Sequence, residues 1–381
     1  MKALISDVID RFGPRAAGSE AEKASQLYVK QLMEGFCDKV LFQPFAIAPH
    51  AKFESLKLFY GLYWVCLALF FVDIRIALTL SLVNFILFLG HFLLYYHWLD
   101  FLYKKGTSHN TIGTVEPSGE VKRTIIFSGH MDSAREFFWW YHLKDLGIVL
   151  TIISGFLLVL LPIYYLLCLI FGNDTAWNLG WWFFLATSPV TLSMFFIHNK
   201  AYVPGAQDNL SGVTLAMELG RFFANPENRL KHIRIKVASF GSEEIGLQGA
   251  HAYVKQFHQE LLAENAININ LDGIKDRDQL HILNQEIMLL VKYPADLVQR
   301  MHRTFNELQV PHKVKPLGFG ATDAAAFARQ GIPALAIIGI SMKKLDPTYH
   351  TRLDLPDCVD EHALEDVKKV LVRFTQQLDG E

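Results

Sequence analysis

Short apolar runs alternate along this chain with segments of helical periodicity, and several of the runs end in residues able to bind a metal. Thr124 to Phe127 is a buried-strand pattern that runs into Ser-Gly-His130-Met-Asp132. Arg234 to Phe240 leads to Gly-Ser-Glu243-Glu244, and Ala266 to Leu271 leads to Asp272-Gly273. The apolar segment Pro333 to Ile340 is followed by Tyr349-His350-Thr351. Between these runs the spacing predicts helices over Ser211–Ala224, Leu247–Leu262, Asp296–Leu308, Thr322–Arg329 and Glu361–Leu378. Leu280 to Val291 has β-rich patches. Nearer the start, Met1–Phe12 reads as an amphipathic helix and Gly13–Ser19 as a turn. Ser19 with Glu22 then forms a capping box opening a helix to about Glu34. Val40–Ile47 is a strand that Pro44 confines to an edge, and Asn110–Glu116 is another. Strands alternating with helices predict an α/β domain with a mixed, mostly parallel sheet between helices.

A second pattern interrupts the first. Leu56–Val72 and Ile76–Trp98 are apolar stretches of seventeen and twenty-three residues, separated only by Asp73, Ile74 and Arg75. Leu146–Phe171 and Asn178–Ile197 form a similar pair around Gly172–Trp177. Each stretch is about long enough to cross a hydrocarbon core. The expectation is two transmembrane helical hairpins, 56–98 and 146–197, four helices in all. They divide a single catalytic domain into three parts, 1–55, 99–145 and 198–381.

Composition supports that division. The chain has 381 residues, 51% of them hydrophobic and only 19% charged, and the apolar excess lies mostly in the two blocks. The remainder, roughly 285 residues, is enough for one large domain with a sizeable core. A net charge of −2 without a basic stripe argues against a nucleic-acid partner. Cys37, Cys66, Cys168 and Cys358 form no CxxC pair and no disulfide framework.

Both hairpins leave and return on one side, and the basic residues there set the orientation. Lys52, Lys57, Lys104, Lys105, Arg135, Lys144 and Lys200 flank the near ends, against Arg75 on the far side, whose second loop carries Asp174. Trp139 and Trp140 lie at one face, and Trp177, Trp181 and Trp182 near the other, as interfacial belts do. The positive-inside rule then places the catalytic domain in the cytoplasm, and the first residues lack the apolar core of a signal peptide.

His130, Asp208, Glu244, Asp272 and His350 supply two imidazoles and three carboxylates, the donor set of a zinc pair bridged by one carboxylate. Asp208 opens a helix within the turn Gly205–Gly212. Asp132, two residues after His130, is placed to accept the other ring N–H. Neighbouring residues on extended backbone point apart, so one of Glu243 and Glu244 is left free as a general base. Taken singly, each motif has an ordinary structural use as a turn, an N-cap or a solvated helix start. Their joint occurrence, in order, at strand ends points to a metal site.

The runs SGHMDS, GAQDNLSGV, GSEEIGLQGA, NLDG and YHTRLDLPD together resemble metallopeptidase family M28, the co-catalytic zinc aminopeptidases. The opening GPRAAGSEAEKAS and the late GATDAAAFARQGIPA resemble it as well. The resemblance implies two Zn²⁺ ions, one held by His130 and Asp272 and the other by Glu244 and His350, with Asp208 bridging. It also implies Glu243 as general base, Asp132 as the residue orienting His130, and an eight-stranded mixed sheet. The chain departs from the family in that 78 positions separate His130 from Asp208, with the second hairpin filling the gap.

The implied function is a membrane-integrated, zinc-dependent exopeptidase acting on short peptides, with the lipid bilayer as its other partner. Aminopeptidase action is the first expectation. Alternatives are a carboxypeptidase or other amidohydrolase on this scaffold, with Arg352 to read a carboxylate, or a non-catalytic receptor of the same fold. Short linkers of about thirteen and ten residues join Asp132 and Asp208 to the second hairpin, which suggests a site close to the bilayer. Gly318–Asp323 is expected to contribute one wall of the substrate site.

Overall fold

The computed structural model describes residues 1–172, 175–341 and 346–381, with side chains for all of these except 175–177 and 199. The loop carrying Asp174, and the Trp177 side chain assigned to an aromatic belt, lie outside the described residues. Among the described residues the strands are β1 (Lys39–Ile47), β2 (Gly106–Val115), β3 (Arg123–His130), β4 (Arg135–Phe137), β5 (His198–Tyr202), β6 (Ile233–Phe240), β7 (Ile267–Ile274), β8 (His281–Glu286), β9 (Val291–Lys292), β10 (Lys313–Leu317) and β11 (Ala334–Gly339). Two units divide the chain. Met1–Pro49, Lys105–Arg135 and Tyr202–Glu381 form the first, and His50–Lys104 with Glu136–Ala201 the second.

The first unit is built on one mixed sheet in the order β1-β2-β6-β3-β7-β11-β8-β10, with β9 paired to β8. Its centre, β6-β3-β7-β11, is parallel. β1, β2 and β6 are antiparallel to their neighbours on one side, and β8 runs antiparallel to β11 and parallel to β10. The central strands are apolar because helices cover both faces. β3, β6 and β11 are buried almost throughout, whereas β1 at the edge alternates exposed and buried positions. Pro44 costs no ladder bond that matters on an edge strand. The mixed, mostly parallel α/β sheet agrees with the pattern of the sequence.

Two details differ from that pattern. β7 continues past Leu271, so Asp272 sits within the strand; Gly273 at φ 60° and a register shift opposite Ile338 and Gly339 mark a bulge there. β10, Lys-Val-Lys-Pro-Leu, is a strand that periodicity does not announce, because a polar edge with a proline looks like a loop.

Strand direction places the site. β3 ends at His130 and β6 at Phe240, on neighbouring parallel strands at one edge of the sheet. Ile47 pairs with Gly106, and β2 opposes β6, so the first insert leaves from this same edge. The second insert leaves just after β3, through the paired strands β4 and β5.

The second unit is helical apart from β4 and β5, with helices Ala51–Leu69, Ile74–Leu87 (continued by a π turn Phe88–Leu93), Asp145–Phe171, Thr175–Thr187 and Pro189–Ser193. Phe59, Tyr63, Cys66, Leu161 and Tyr165 are among the residues of its apolar core. Many apolar side chains face outward, among them Ile76, Val83, Ile86, Phe156, Ile163, Leu166 and Phe183. Among the described residues three spans, Ile74–Leu93, Asp145–Phe171 and Asn178–Phe196, are long and apolar enough to cross a membrane. The expected first helix forms as Ala51–Leu69 but is not a fourth such span. Lys57 lies inside the stretch 56–72, and Lys52 and Glu54 share its first turns. The expected stretch 76–98 is also shorter as a helix, which ends at Leu93.

Candidate metal centre

Close packing of backbone brings the separate motifs together. A Cβ on Gly129 would lie 2.7 Å from the carbonyl carbon of Gly212, and one on Gly212 would lie 2.1 Å from the Leu271 oxygen. The start of the helix Ser211–Ala224 is thus pressed against β3 and β7. Asn209 fastens it there, donating to the Leu271 carbonyl at 2.9 Å and accepting from the Gly212 and Gly273 N–H groups at 3.0 and 3.3 Å. Asp208, the preceding residue, is left facing both His130 and His350.

The Asp208 carboxylate divides between the two imidazoles. Its Oδ1 lies 3.1 Å from His130 Nε2, and its Oδ2 lies 3.2 Å from His350 Nε2. His130 Nε2 is also 3.9 Å from Asp272 Oδ1, and His350 Nε2 is 3.5 Å from Glu244 Oε2. Among the described residues three groups result, His130–Asp208–Asp272, Asp208–Glu244–His350 and His130–Glu243–Glu244, each with its ligand atoms within 4.8 Å of one another. A tetrahedral zinc ion with bonds of about 2.0–2.1 Å sets its ligand atoms roughly 3.3–3.4 Å apart. The observed separations, 3.1–3.9 Å, bracket that spacing. Glu243 Oε2 stands 3.7 Å from His130 Nε2.

His130, Asp208, Glu244 and His350 are buried, and the Asp272 side chain is 15% exposed. Burial works to lower the His130 pKa, yet Glu243, Asp132, Asp208 and Asp272 together hold it well above the imidazole range. Burial works to raise Asp208, but hydrogen bonds from His130 and His350 keep it below the usual carboxylate range. Burial first, then Asp208 and Glu243, raises Glu244 strongly, and burial with Asp208 nearby pushes Asp272 up to about 7. Three candidate ligand carboxylates with Glu243 outnumber the two imidazoles, so a divalent cation there would offset the excess negative charge.

Groups around the ligands hold the ligand loops, and of these the sequence singles out only Asp132. The Asp132 carboxylate accepts the Glu243 and Glu244 N–H groups at 2.9 and 3.0 Å. His130 Nδ1 is 3.0 Å from the Asp132 main-chain oxygen and 3.5 Å from its Oδ1, so the main-chain carbonyl is the nearer acceptor for the ring. Asp354 does for Asp208 what Asp132 does for the glutamates, accepting from the Gln207 and Asp208 N–H groups at 2.7 and 3.1 Å. Arg15 is fully buried and donates to the Met131, Gly13, Pro204 and Gly205 carbonyls at 2.8–3.1 Å, tying the His130 loop to the Asp208 loop. Lys275 bonds Asp346 and Thr348, and Thr348 bonds Gln207, which links the His350 turn to the other two loops.

Asp323 closes the stretch expected to form a wall of the site. It is buried, neither carboxylate oxygen has a partner among the described residues, and burial raises its pKa well above normal. Arg15, Asp354 and Asp323 stand in motifs the sequence displays, GPRAAGSE, YHTRLD and GATD, but a single sequence does not show which way a side chain turns.

The model of "Peptidase family M28" matches residues 191–375. Aminopeptidase YwaD of Bacillus subtilis is 23% identical over 171 residues, covering 43% of this chain and 35% of that protein. The chain therefore spans about a third of the length of the curated relatives it matches. A zinc aminopeptidase from Bacillus subtilis superposes with a TM-score of 0.58 at 15% identity, covering 99% of this chain and 94% of the other. A glutaminyl cyclase from Bacteroides thetaiotaomicron gives 0.59 at 14%, covering 98% and 96%. At such identities the likeness speaks for the fold alone, and the chemistry has to be argued from the site.

Proposed function

Because the chain belongs to peptidase family M28, we propose that it is a membrane-integrated zinc exopeptidase, an aminopeptidase of short peptides. The observation that carries this reading is the Asp208 carboxylate, with one oxygen 3.1 Å from His130 and the other 3.2 Å from His350. In this reading His130 and Asp272 would hold one Zn²⁺, Glu244 and His350 would hold a second, and Asp208 would be shared between them. The ions supply Lewis acidity toward the scissile carbonyl and lower the pKa of water.

The remaining chemistry falls to side chains. Glu243 takes the proton of the attacking water and delivers it to the leaving amine. Its backbone N–H is held by Asp132, which fixes the loop that carries the carboxylate. Asp132 also holds the His130 ring through its own carbonyl.

The helical unit anchors the enzyme in a lipid bilayer, and the lysines and arginines flanking its helices favour a cytoplasmic site. Cysteine labelling from either side of sealed vesicles, at Lys105 and at Arg75, tests that orientation. For the reaction, a metal count on purified protein accompanies assays with aminoacyl-anilides, free dipeptides and amino-blocked dipeptides. Two zinc ions per chain with turnover of free-amino substrates only supports the reading. Turnover of amino-blocked dipeptides would instead support a carboxypeptidase, and no turnover despite bound zinc would point to a binding protein.

A further inference from the structure

Glu22 is an acid the proposed reaction does not use. It lies in the first turn of the helix Glu20–Glu34, where an acidic residue ordinarily faces solvent and favours the helix dipole. Ser19 Oγ does accept the Glu22 N–H at 3.1 Å, which is half of a capping box. The other half is missing. The Glu22 carboxylate does not return to the Ser19 N–H but turns inward, and the residue is fully buried.

Both oxygens are engaged there. Oε1 accepts the Ser242 N–H at 2.8 Å and lies 3.2 Å from the Ser242 hydroxyl. Oε2 accepts the Gly18 N–H at 2.7 Å and the Ser108 hydroxyl at 2.9 Å. Ser242 immediately precedes Glu243 and Glu244, whose N–H groups are held by Asp132. Three successive N–H groups after β6 thus point into two buried carboxylates from distant parts of the chain.

We infer that Glu22 is a positioning residue, which with Asp132 fixes the backbone of Ser242, Glu243 and Glu244 and so aims the general base. The inference rests on the reading of Glu243 as that base. Two bonds to Asp132 alone would leave the loop free to pivot about one carboxylate, and the third, to Glu22, removes that freedom. The loop needs holding, because Ser242 has φ 57°, a left-handed conformation that serine adopts only when its surroundings impose it. It is also seated tightly: a Cβ on Gly241 would lie 2.5 Å from the His109 oxygen and from Ser108 Oγ. Each Glu22 oxygen takes one backbone N–H, so glutamine, with one acceptor oxygen, cannot replace it.

The test uses the full chain in detergent, with Glu22→Gln against the control Glu20→Gln. Glu20 is an exposed acid of the same helix turn. Glu22→Gln should lower kcat by about 10–100-fold with KM changed less than about twofold, the pattern of a lost transition-state geometry. Amide exchange should accelerate in peptides covering 240–246 and stay unchanged in β7 and β11, and zinc should be released to a competing chelator more readily. Glu20→Gln should change none of these.

Wild-type kcat and exchange in Glu22→Gln would overturn the proposal. So would a uniform rise in exchange over the whole sheet, which would make Glu22 a general stability residue. Should that variant fail to fold, Ser108→Ala removes one Glu22 donor and makes the same test. Faster exchange confined to 240–246 supports the proposal, and none overturns it. Exchange and zinc release need no substrate. Failure of the wild-type protein to cleave any peptide would therefore sink the peptidase reading while these measurements still judge Glu22.

Discussion

Substituting Gly212 by alanine sets two physical effects against each other. Gly212 is the second residue of the helix Ser211–Ala224. By helix propensity alone, alanine there should stabilise the protein by up to about 1 kcal/mol. The tertiary setting reverses the sign. A Cβ at this position would lie 2.1 Å from the Leu271 carbonyl oxygen and 2.5 Å from Asn209 Oδ1. Ordinary contact begins near 3.4 Å, so backbone must separate by about 1.3 Å. Neither neighbour is a flexible side-chain end: one is strand backbone, and the other is fixed by three hydrogen bonds. Overpacking of this kind costs about 1–3 kcal/mol, which exceeds the propensity gain. The functional cost should be larger, because Leu271 precedes Asp272 and Asn209 follows Asp208, so the shift falls between two proposed ligands. Misplacement of reacting groups by about 1 Å costs on the order of 10²-fold in rate. Gly212→Ala should therefore lose about 100-fold in kcat/KM and melt a few degrees lower, with weakened zinc binding. Gly61→Ala in the helix Ala51–Leu69, where a Cβ meets nothing within 4 Å, is the matched control and should leave activity unchanged. The assay is aminoacyl-anilide turnover with a metal count and a thermal melt. If Gly212→Ala retains activity within threefold and melts with the wild type, the close approach of helix and sheet is not what aligns the site.

The other expectations follow from single contacts. Glu243→Gln should retain both zinc ions while activity falls about 10²–10⁴-fold; stoichiometric loss of zinc from this variant would make Glu243 a ligand rather than a base. Asp208→Ala should disable both metal positions, whereas His350→Ala should weaken mainly one, as read by zinc titration. Selective loss of a single ion in the Asp208 variant would refute the bridge. Arg15→Met leaves the Met131 and Pro204 carbonyls without the donors they have at 2.8 Å. At about 1–3 kcal/mol for each of the two buried orphans, and about 2 °C per kcal/mol, the melting temperature should fall by about 4–12 °C. Arg15→Lys should recover part of that loss, and equal melting of wild type and Arg15→Met would show that the bonds contribute nothing net.

Much of this protein is legible without coordinates because period and composition are local properties. The helices Ser211–Ala224 and Glu361–Asp379 and the strands β3, β6 and β11 follow from apolar spacing, since a central parallel strand must be apolar on both faces. The candidate ligands are legible too, because His, Asp and Glu at strand ends carry their chemistry in their identity. What the sequence could not decide is everything that depends on where a side chain turns. Lys57 sits in a stretch that otherwise reads as membrane-crossing, and β10 hides behind lysines and a proline at a sheet edge. Glu22 and Asp132 read as a capping acid and a ring-orienting acid. Folding turns both carboxylates onto the backbone of one loop, from positions 220 and 111 residues away along the chain. Residue type fixes what a group can do, but buried N–H groups take whichever acceptor the packed chain brings within reach, and only the tertiary structure decides which one that is.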